Sequence, residues 1–439
     1  MSRYRDEIKL EHMSGFHRQS FENRLLALRK ISGLSDDDIA VLRGDRPLPI
    51  SLAENFIENV IGYFPLPLGV ATHFNIDGRD VLIPMAVEET SIIAAASATA
   101  KWIRKSGRIA TYAKGRLIIG QIQIPVSKDP VGTRAVLQKN RDLLIRIANE
   151  CVPGLVRRGG GIQDLAFREI TRTDDGIDPG KMLVIHVLCD PCDAMGANLI
   201  NQVCEALKPK IEELTGERVG LCILSNLVDG RLAGAEVVVR DVDPAVGRGI
   251  EEAVVFARRD PYRAATHNKG TLNGIDPILI ATGNDWRAVE AGIHTFASLS
   301  GRIRPLTDWR MEGRDLVGRI EVPMALGTAG GMTRSHPFAL IALKILGAER
   351  AEDLARICAA VGLVQNLGAL RALSTVGIVK GHMQLHAANL AIAAGAEVHE
   401  IPQVRLRLTQ MLKENKCISL SLAREVLESI RGESGYAEY

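Results

Sequence analysis

The side chains with most chemistry to offer stand far apart along the chain. Lys269 lies in "THNKGTLNG" among Asn268, Gly270, Asn273 and Gly274, a run that reads as a polar loop. Asp285 follows in "ATGNDWRAVEAG". A lysine held by an aspartate suits an oxygen that gains negative charge during a reaction, although most such pairs are surface salt bridges. Glu89, next to Glu88, heads an alanine-rich stretch. It can donate a proton if burial or a nearby acid such as Asp285 raises its pKa. Otherwise the two acids only stabilise a helix N-terminus.

His382 and His386 stand four residues apart in "GHMQLHAANL" and would share one helix face. The spacing is that of two zinc ligands, but Met383 occupies the place where H-E-x-x-H needs its glutamate. A proton donor that titrates near neutral pH fits His382 better. Either histidine alone is as easily a hydrogen-bonded structural one.

A nucleotide cofactor needs backbone N–H groups aimed at its phosphates. "GGGIQD" and "GRGIEE" both lack the last glycine of G-x-G-x-x-G. "DAMGAN", from Asp193 through Met195 and Gly196 to Asn198, follows a strand and opens a helix, and Gly196 would let a diphosphate approach the backbone. The plainer reading is a strand-to-helix turn capped by Asp193. Cys189 and Cys192 have C-x-x-C spacing, but no second such pair completes a zinc site, and seven scattered cysteines make no disulfide framework.

These residues need elements to position them. "SDDDIAVLRG" predicts a helix capped by Ser35 and stopped by Gly44, and "EETSIIAAASATAKWIRKSG" a helix from about Glu89 to Gly107. In the middle, "IIGQIQIPV", "DLAFREI", "MLVIHVLC" and "GLCILSNL" read as strands, with helices after the first and third. The order β-α-β-β-α-β is that of a ferredoxin-like unit, placed at about 113–226 and inserted into a larger domain made of 1–112 and 227–376. Residues 377–439 read as a C-terminal helical flap. The expected class is α+β.

At 439 residues the chain exceeds one compact core. With 54 Lys and Arg against 52 Asp and Glu, bulk charge gives no reason to expect nucleic acid. No apolar run suggests a membrane span, and the charged start does not resemble a signal peptide, so a cytoplasmic protein is expected.

"ENVIG", "EETSIIAAAS", "DAMGAN", "PYRAATHNKG", "ATGNDWRAVEAG", "GTAGG" and "GHMQLH" together, in order and spacing, resemble the class II, soluble bacterial and archaeal 3-hydroxy-3-methylglutaryl-coenzyme A (HMG-CoA) reductases. The similarity runs from about residue 20 to about 430. It implies Glu89, Lys269, Asp285 and His382 as the catalytic set. It implies Ser91, Arg263, Asn273, Gln365 and His386 as substrate contacts, and Asp193, Met195, Gly196 and Asn198 in the cofactor motif. The implied partners are HMG-CoA, mevalonate, CoA and NADH or NADPH, with no metal, nucleic acid or membrane. The implied assembly is a homodimer with shared active sites, in which "ENVIG" lies at the contact, and trimers of dimers are conceivable. A metal-dependent CoA-ester lyase or hydrolase on His382 and His386 is the rival reading.

Members that prefer NADH can carry an acid near the adenosine ribose, where it repels a 2′-phosphate. Counting from Asp129-Pro130 to Gly159 puts Val152 at that position, with Arg157 and Arg158 just beyond it. NADPH acceptance is therefore expected, although Glu150 is close by.

Overall fold

The computed structural model describes residues 15–171, 180–375, 377, 387–414 and 417–435. Ten strands run through it: β1 (Leu68–Ile76), β2 (Arg79–Ala86), β3 (Gly107–Lys114), β4 (Ile118–Ser127), β5 (Gly161–Thr171), β6 (Lys181–Asp190), β7 (Cys222–Ser225), β8 (Leu232–Val239), β9 (Thr307–Glu312) and β10 (Asp315–Pro323). They form two sheets.

The smaller sheet has the order β5-β6-β4-β7, with every neighbouring pair antiparallel. This is the ferredoxin-like arrangement expected from the strand–helix order. Alternation in β4 is strict enough to read directly, since Ile118, Ile122 and Ile124 are buried while Gln121 and Gln123 are less so. Behind the sheet lies the helix Ala197–Thr215, whose Ile200, Val203, Cys204, Leu207 and Ile211 enter a core of their own with Ile185, Val187 and Leu144.

The larger sheet has the order β2-β1-β3-β8-β10-β9 and is mixed, because β1 pairs with β3 in parallel. Sequence patterning did not reveal β1 and β2. β2 is buried at six consecutive positions, so it lacks a period of two. Pro84 is tolerated in β2 because this strand lies at the sheet edge.

Two long helices cross over this sheet. The helix Ala351–Ser374 is long and apolar enough to span a membrane, contrary to the expectation that no segment would be. Its residues Leu354, Cys358, Val361, Leu363, Val364 and Leu367 are instead buried in the main core with the inner faces of β3, β8 and β10. The helix Pro261–Ala281 lies against it. Near the C-terminus, Ala387, Ala391, Val404, Leu408, Ala423 and Leu427 form a separate apolar core.

Candidate active site

Lys269 lies in the middle of the helix Pro261–Ala281 rather than in a loop. Asp260 caps this helix by accepting from the Arg263 N–H at 3.0 Å, and Pro261 opens it. The polar residues that suggested a loop are buried partners. Asn268 donates to the Arg304 carbonyl at 2.8 Å and accepts from the Leu306 N–H at 2.9 Å. His267 Nε2 lies 2.7 Å from Thr307 Oγ1, whose proton goes to Asn366 Oδ1 at 2.8 Å. Asn366 Nδ2 lies 3.3 Å from the same His267 nitrogen, so Nε2 is held between Thr307 and Asn366. Nδ1 has no hydrogen-bond partner among the described residues, and burial pushes the ring pKa down to about 4, so this histidine is neutral scaffolding. Sequence reasoning missed His267 and Asn366. The four-residue spacing of His267 and Thr271 on one helix face was the available signal.

The network turns Lys269 outward, where Nζ donates to Glu89 Oε2 at 2.9 Å. Glu89 sits in the turn after β2, and its helix starts three residues later, at Ile92. Ser91, the N-cap, has φ of 75°, a left-handed conformation that costs a non-glycine residue on the order of 1 kcal/mol. Strain at a residue implied to touch substrate is a usual feature of ligand sites. The Lys269 and Glu89 side chains are 62% and 39% exposed, so their ion pair adds at most about 1 kcal/mol to stability.

Gln365, on the helix Ala351–Ser374, is brought against Gly274, the residue after Asn273, by a close helix crossing. A Cβ at Gly274 would lie 2.7 Å from the Val361 carbonyl and 2.8 Å from Gln365 Cβ. Gln365 Oε1 is buried without a hydrogen-bond partner among the described residues, as expected of a group kept for a ligand. Arg263 is half-buried, and burial lowers its pKa from the ordinary guanidinium value.

The second cluster lies at the opposite end of the Lys269 helix. Met195, Gly196, Asn198, Asp285, Trp286 and Gly331 line one cleft of about 590 Å³. Gly196 caps the helix Ala197–Thr215 with φ of 91°, and the amides of that helix's first turn adjoin the cleft. Asp193 does not cap its own helix. Its Oδ1 accepts from the Ala351 N–H at 3.0 Å, and its carbonyl accepts from the N–H groups of Thr328 and Ala329. The cofactor turn is thus tied to "GTAGG" and to the central helix. Asp285 caps the helix Trp286–Ser298 by accepting from the Ala288 N–H at 3.2 Å, and it pairs with Arg287 at 3.4 Å.

The chain therefore joins Lys269 to Glu89 and not to Asp285. From Lys269 to the helix end at Ala281 the rise alone is about 18 Å. The expected lysine–aspartate contact does not form within one copy. Val152 is also placed differently from expectation. It is 7% exposed and belongs to the small sheet's core, so it does not face a ribose and Val152→Asp would bury a carboxylate. Arg157 and Arg158 are exposed, and neither has an ion pair among the described residues; the Arg158 carbonyl accepts from Cys192 Sγ near the cofactor turn. His382 and His386 lie outside the described residues. Among the described residues no group of three or more His, Cys, Asp or Glu could hold a metal ion.

The helix Pro261–Ala281 runs from the Lys269 cluster towards the second cluster, whose cofactor-motif turn is tied to the central helix through Asp193 and Ala351. The family model of hydroxymethylglutaryl-coenzyme A reductase matches residues 20–387. A 3-hydroxy-3-methylglutaryl-coenzyme A reductase from Archaeoglobus fulgidus is 49% identical over 422 residues, 95% of this chain and 94% of the relative. A probable reductase of the same kind from Borreliella burgdorferi is 31% identical over 389 residues, 87% of this chain and 88% of the relative. Among solved structures, the 3-hydroxy-3-methylglutaryl-coenzyme A reductase from Streptococcus pneumoniae is 36% identical, with a TM-score of 0.79 over 95% of this chain and 99% of that one. The class II enzyme from the same organism, bound to NADPH in open conformations, gives 0.78 and 36% over 82% of this chain and 99% of that one. The chain belongs to the hydroxymethylglutaryl-coenzyme A reductase family. A lyase or hydrolase on two histidines has no support from these relatives.

Proposed function

We propose that the chain performs its family's reaction in a site completed by a second copy of itself. The enzyme interconverts HMG-CoA and mevalonate plus CoA in two reductive steps through mevaldehyde. Bound NAD(P)H supplies a hydride to the carbonyl carbon in each step.

The residues divide the remaining work. Lys269 stabilises the oxyanion that forms as the carbonyl is reduced. Glu89, hydrogen-bonded to Lys269, supplies a proton. His382 protonates the departing CoA thiolate, and His386 orients that thiol. Ser91, Arg263, Asn273 and Gln365 hold the hydroxymethylglutaryl group. Met195, Gly196 and Asn198 seat the diphosphate, with Asp193 fixing their turn. Domains 1–112 with 227–376, 113–226 and 377–439 serve as substrate domain, cofactor domain and flap. A cytoplasmic location belongs to the same proposal.

The observation that carries a shared site is the separation of Lys269 from Asp285. An acid that is to adjust both Lys269 and Glu89 must come from another copy. Ile61 is 104% and Phe64 91% exposed, and Ile57 is exposed beside them, so the "ENVIG" segment offers an apolar surface to a second chain.

The activity test follows loss of the reduced-nicotinamide absorbance with HMG-CoA. Two cofactor equivalents should be oxidised per CoA thiol released; one equivalent would mean that the reaction stops at the aldehyde. On cofactor choice, the exposed Arg157 and Arg158, without ion pairs among the described residues, favour a 2′-phosphate. Replacing both with serine is expected to lower kcat/KM for NADPH about tenfold to hundredfold, the worth of a charged hydrogen bond, and to leave NADH within about twofold. Equal losses with both cofactors would remove these arginines from the phosphate.

A further inference from the structure

Arg231 stands where the chain leaves the ferredoxin-like unit, one residue before β8 begins at Leu232. Its carbonyl accepts from the Met324 N–H at 3.0 Å, which carries the β8–β10 pairing one step past Leu232 and Pro323. The residue is only 8% exposed, which is unusual for an arginine. Nη2 donates to the Leu326 carbonyl at 3.0 Å. Nη1 is buried with no hydrogen-bond partner among the described residues, and Arg231 and Asp193 line one cavity of about 70 Å³. Burial lowers the guanidinium pKa to about 10, so the group stays charged at neutral pH.

The segment held in this way, 324–329, has no helix or strand of its own. Arg231 grips it at Leu326. Asn284, the neighbour of Asp285, grips it one residue on by accepting from the Gly327 N–H at 2.9 Å. The cofactor turn rests on the same segment. The N–H groups of Thr328 and Ala329 donate to the Asp193 carbonyl at 2.9 and 3.1 Å. Gly327 packs so closely that a Cβ there would lie 2.7 Å from the Met195 nitrogen. A shift at Leu326 therefore reaches Met195 through backbone atoms already in contact. Burying a charge costs more than burying an apolar side chain of similar length, so stability alone does not account for an arginine here.

We infer that Arg231 is a positioning residue for the cofactor: by fixing the Leu326 carbonyl it sets the segment on which the turn Asp193–Asn198 rests. The inference depends on the proposal that this turn seats the diphosphate.

Arg231→Met should raise KM for NADPH about tenfold, as expected for loss of a charged hydrogen bond. KM for HMG-CoA should stay within about twofold, because the contacts proposed for it stand on the two long helices. In the enzyme free of cofactor and substrate, the Thr328 and Ala329 amides should exchange hydrogen about tenfold faster than in the wild type, while β4 amides keep their rates. Lysine keeps the charge but not the planar fork, so Arg231→Lys should change both readouts about threefold. It decides the matter if Arg231→Met does not fold. Wild-type exchange and KM in the folded variant, or equal rises in both KM values, would overturn the inference. Gly196→Ala measured alongside separates two failures. If it raises KM for NADPH and the Arg231 variant does not, Arg231 alone loses its role. If neither raises it, the turn does not seat the cofactor and both readings fall.

Discussion

Lys269→Met is expected to lower kcat about 10²- to 10³-fold, roughly 3 to 4 kcal/mol, while changing stability by less than about 1 kcal/mol. The two magnitudes differ because the environment of the ammonium differs between folding and reaction. In the single chain Lys269 is mostly exposed and its ion pair with Glu89 is wet, so removing the charge costs the fold little. In the closed, water-excluding site the same charge would meet an oxyanion that exists only during reaction, where its effect is far larger. Methionine keeps the length and apolar stem of the side chain. The helix is also held from its other face by Asn268 and His267, which the change does not touch. Turnover with HMG-CoA and a thermal unfolding curve check both halves. A kcat within tenfold of wild type would remove Lys269 from the chemistry.

Gly196→Ala is expected to raise KM for NADPH about tenfold or more and to destabilise the fold by about 1–3 kcal/mol. The backbone there has φ of 91°, which strains any residue with a side chain. Space is also lacking, since the new Cβ would lie 2.5 Å from Ile118 Cδ1 and 2.9 Å from Pro191 Cβ. Relief requires moving the turn, and with it the first-turn amides that line the cleft. Because Asp193 ties this turn to Ala351, Thr328 and Ala329, the strain has little room to relax elsewhere. Cofactor titration and urea unfolding measure the two effects. An unchanged KM would mean that the diphosphate does not sit at this helix terminus.

What could be read from sequence depended on how each segment is buried. The small sheet was legible because one face of β4 is covered and the other less so, which leaves a period of two. β2 was not legible, because continuous burial erases that period. "THNKGTLNG" misled because its polar residues signal a turn when partners are unknown. Their partners lie 36 to 40 residues away for Asn268 and His267, and only the fold supplies them. The cofactor turn was readable as a strand-to-helix junction with a glycine of special conformation, but the reach of Asp193 to Ala351 was not, since it spans 158 residues. Val152 shows the limit of counting along a chain. Counting placed it beside a ribose, and the fold turns its side chain into the small sheet's core.

In the proposed shared site, Lys269 and Glu89 of one copy work with Asp285 of another. Mixing Lys269→Met chains with Asp285→Asn chains tests this most directly. Each variant alone should be nearly inactive. After unfolding and refolding together in equal amounts, half the dimers pair the two variants, and one of the two sites in each regains Lys269, Glu89 and Asp285. A shared site should recover about a quarter of wild-type activity, from random pairing. Activity that stays at the mean of the two variants, with mixed dimers present, would show that each site is built from a single chain.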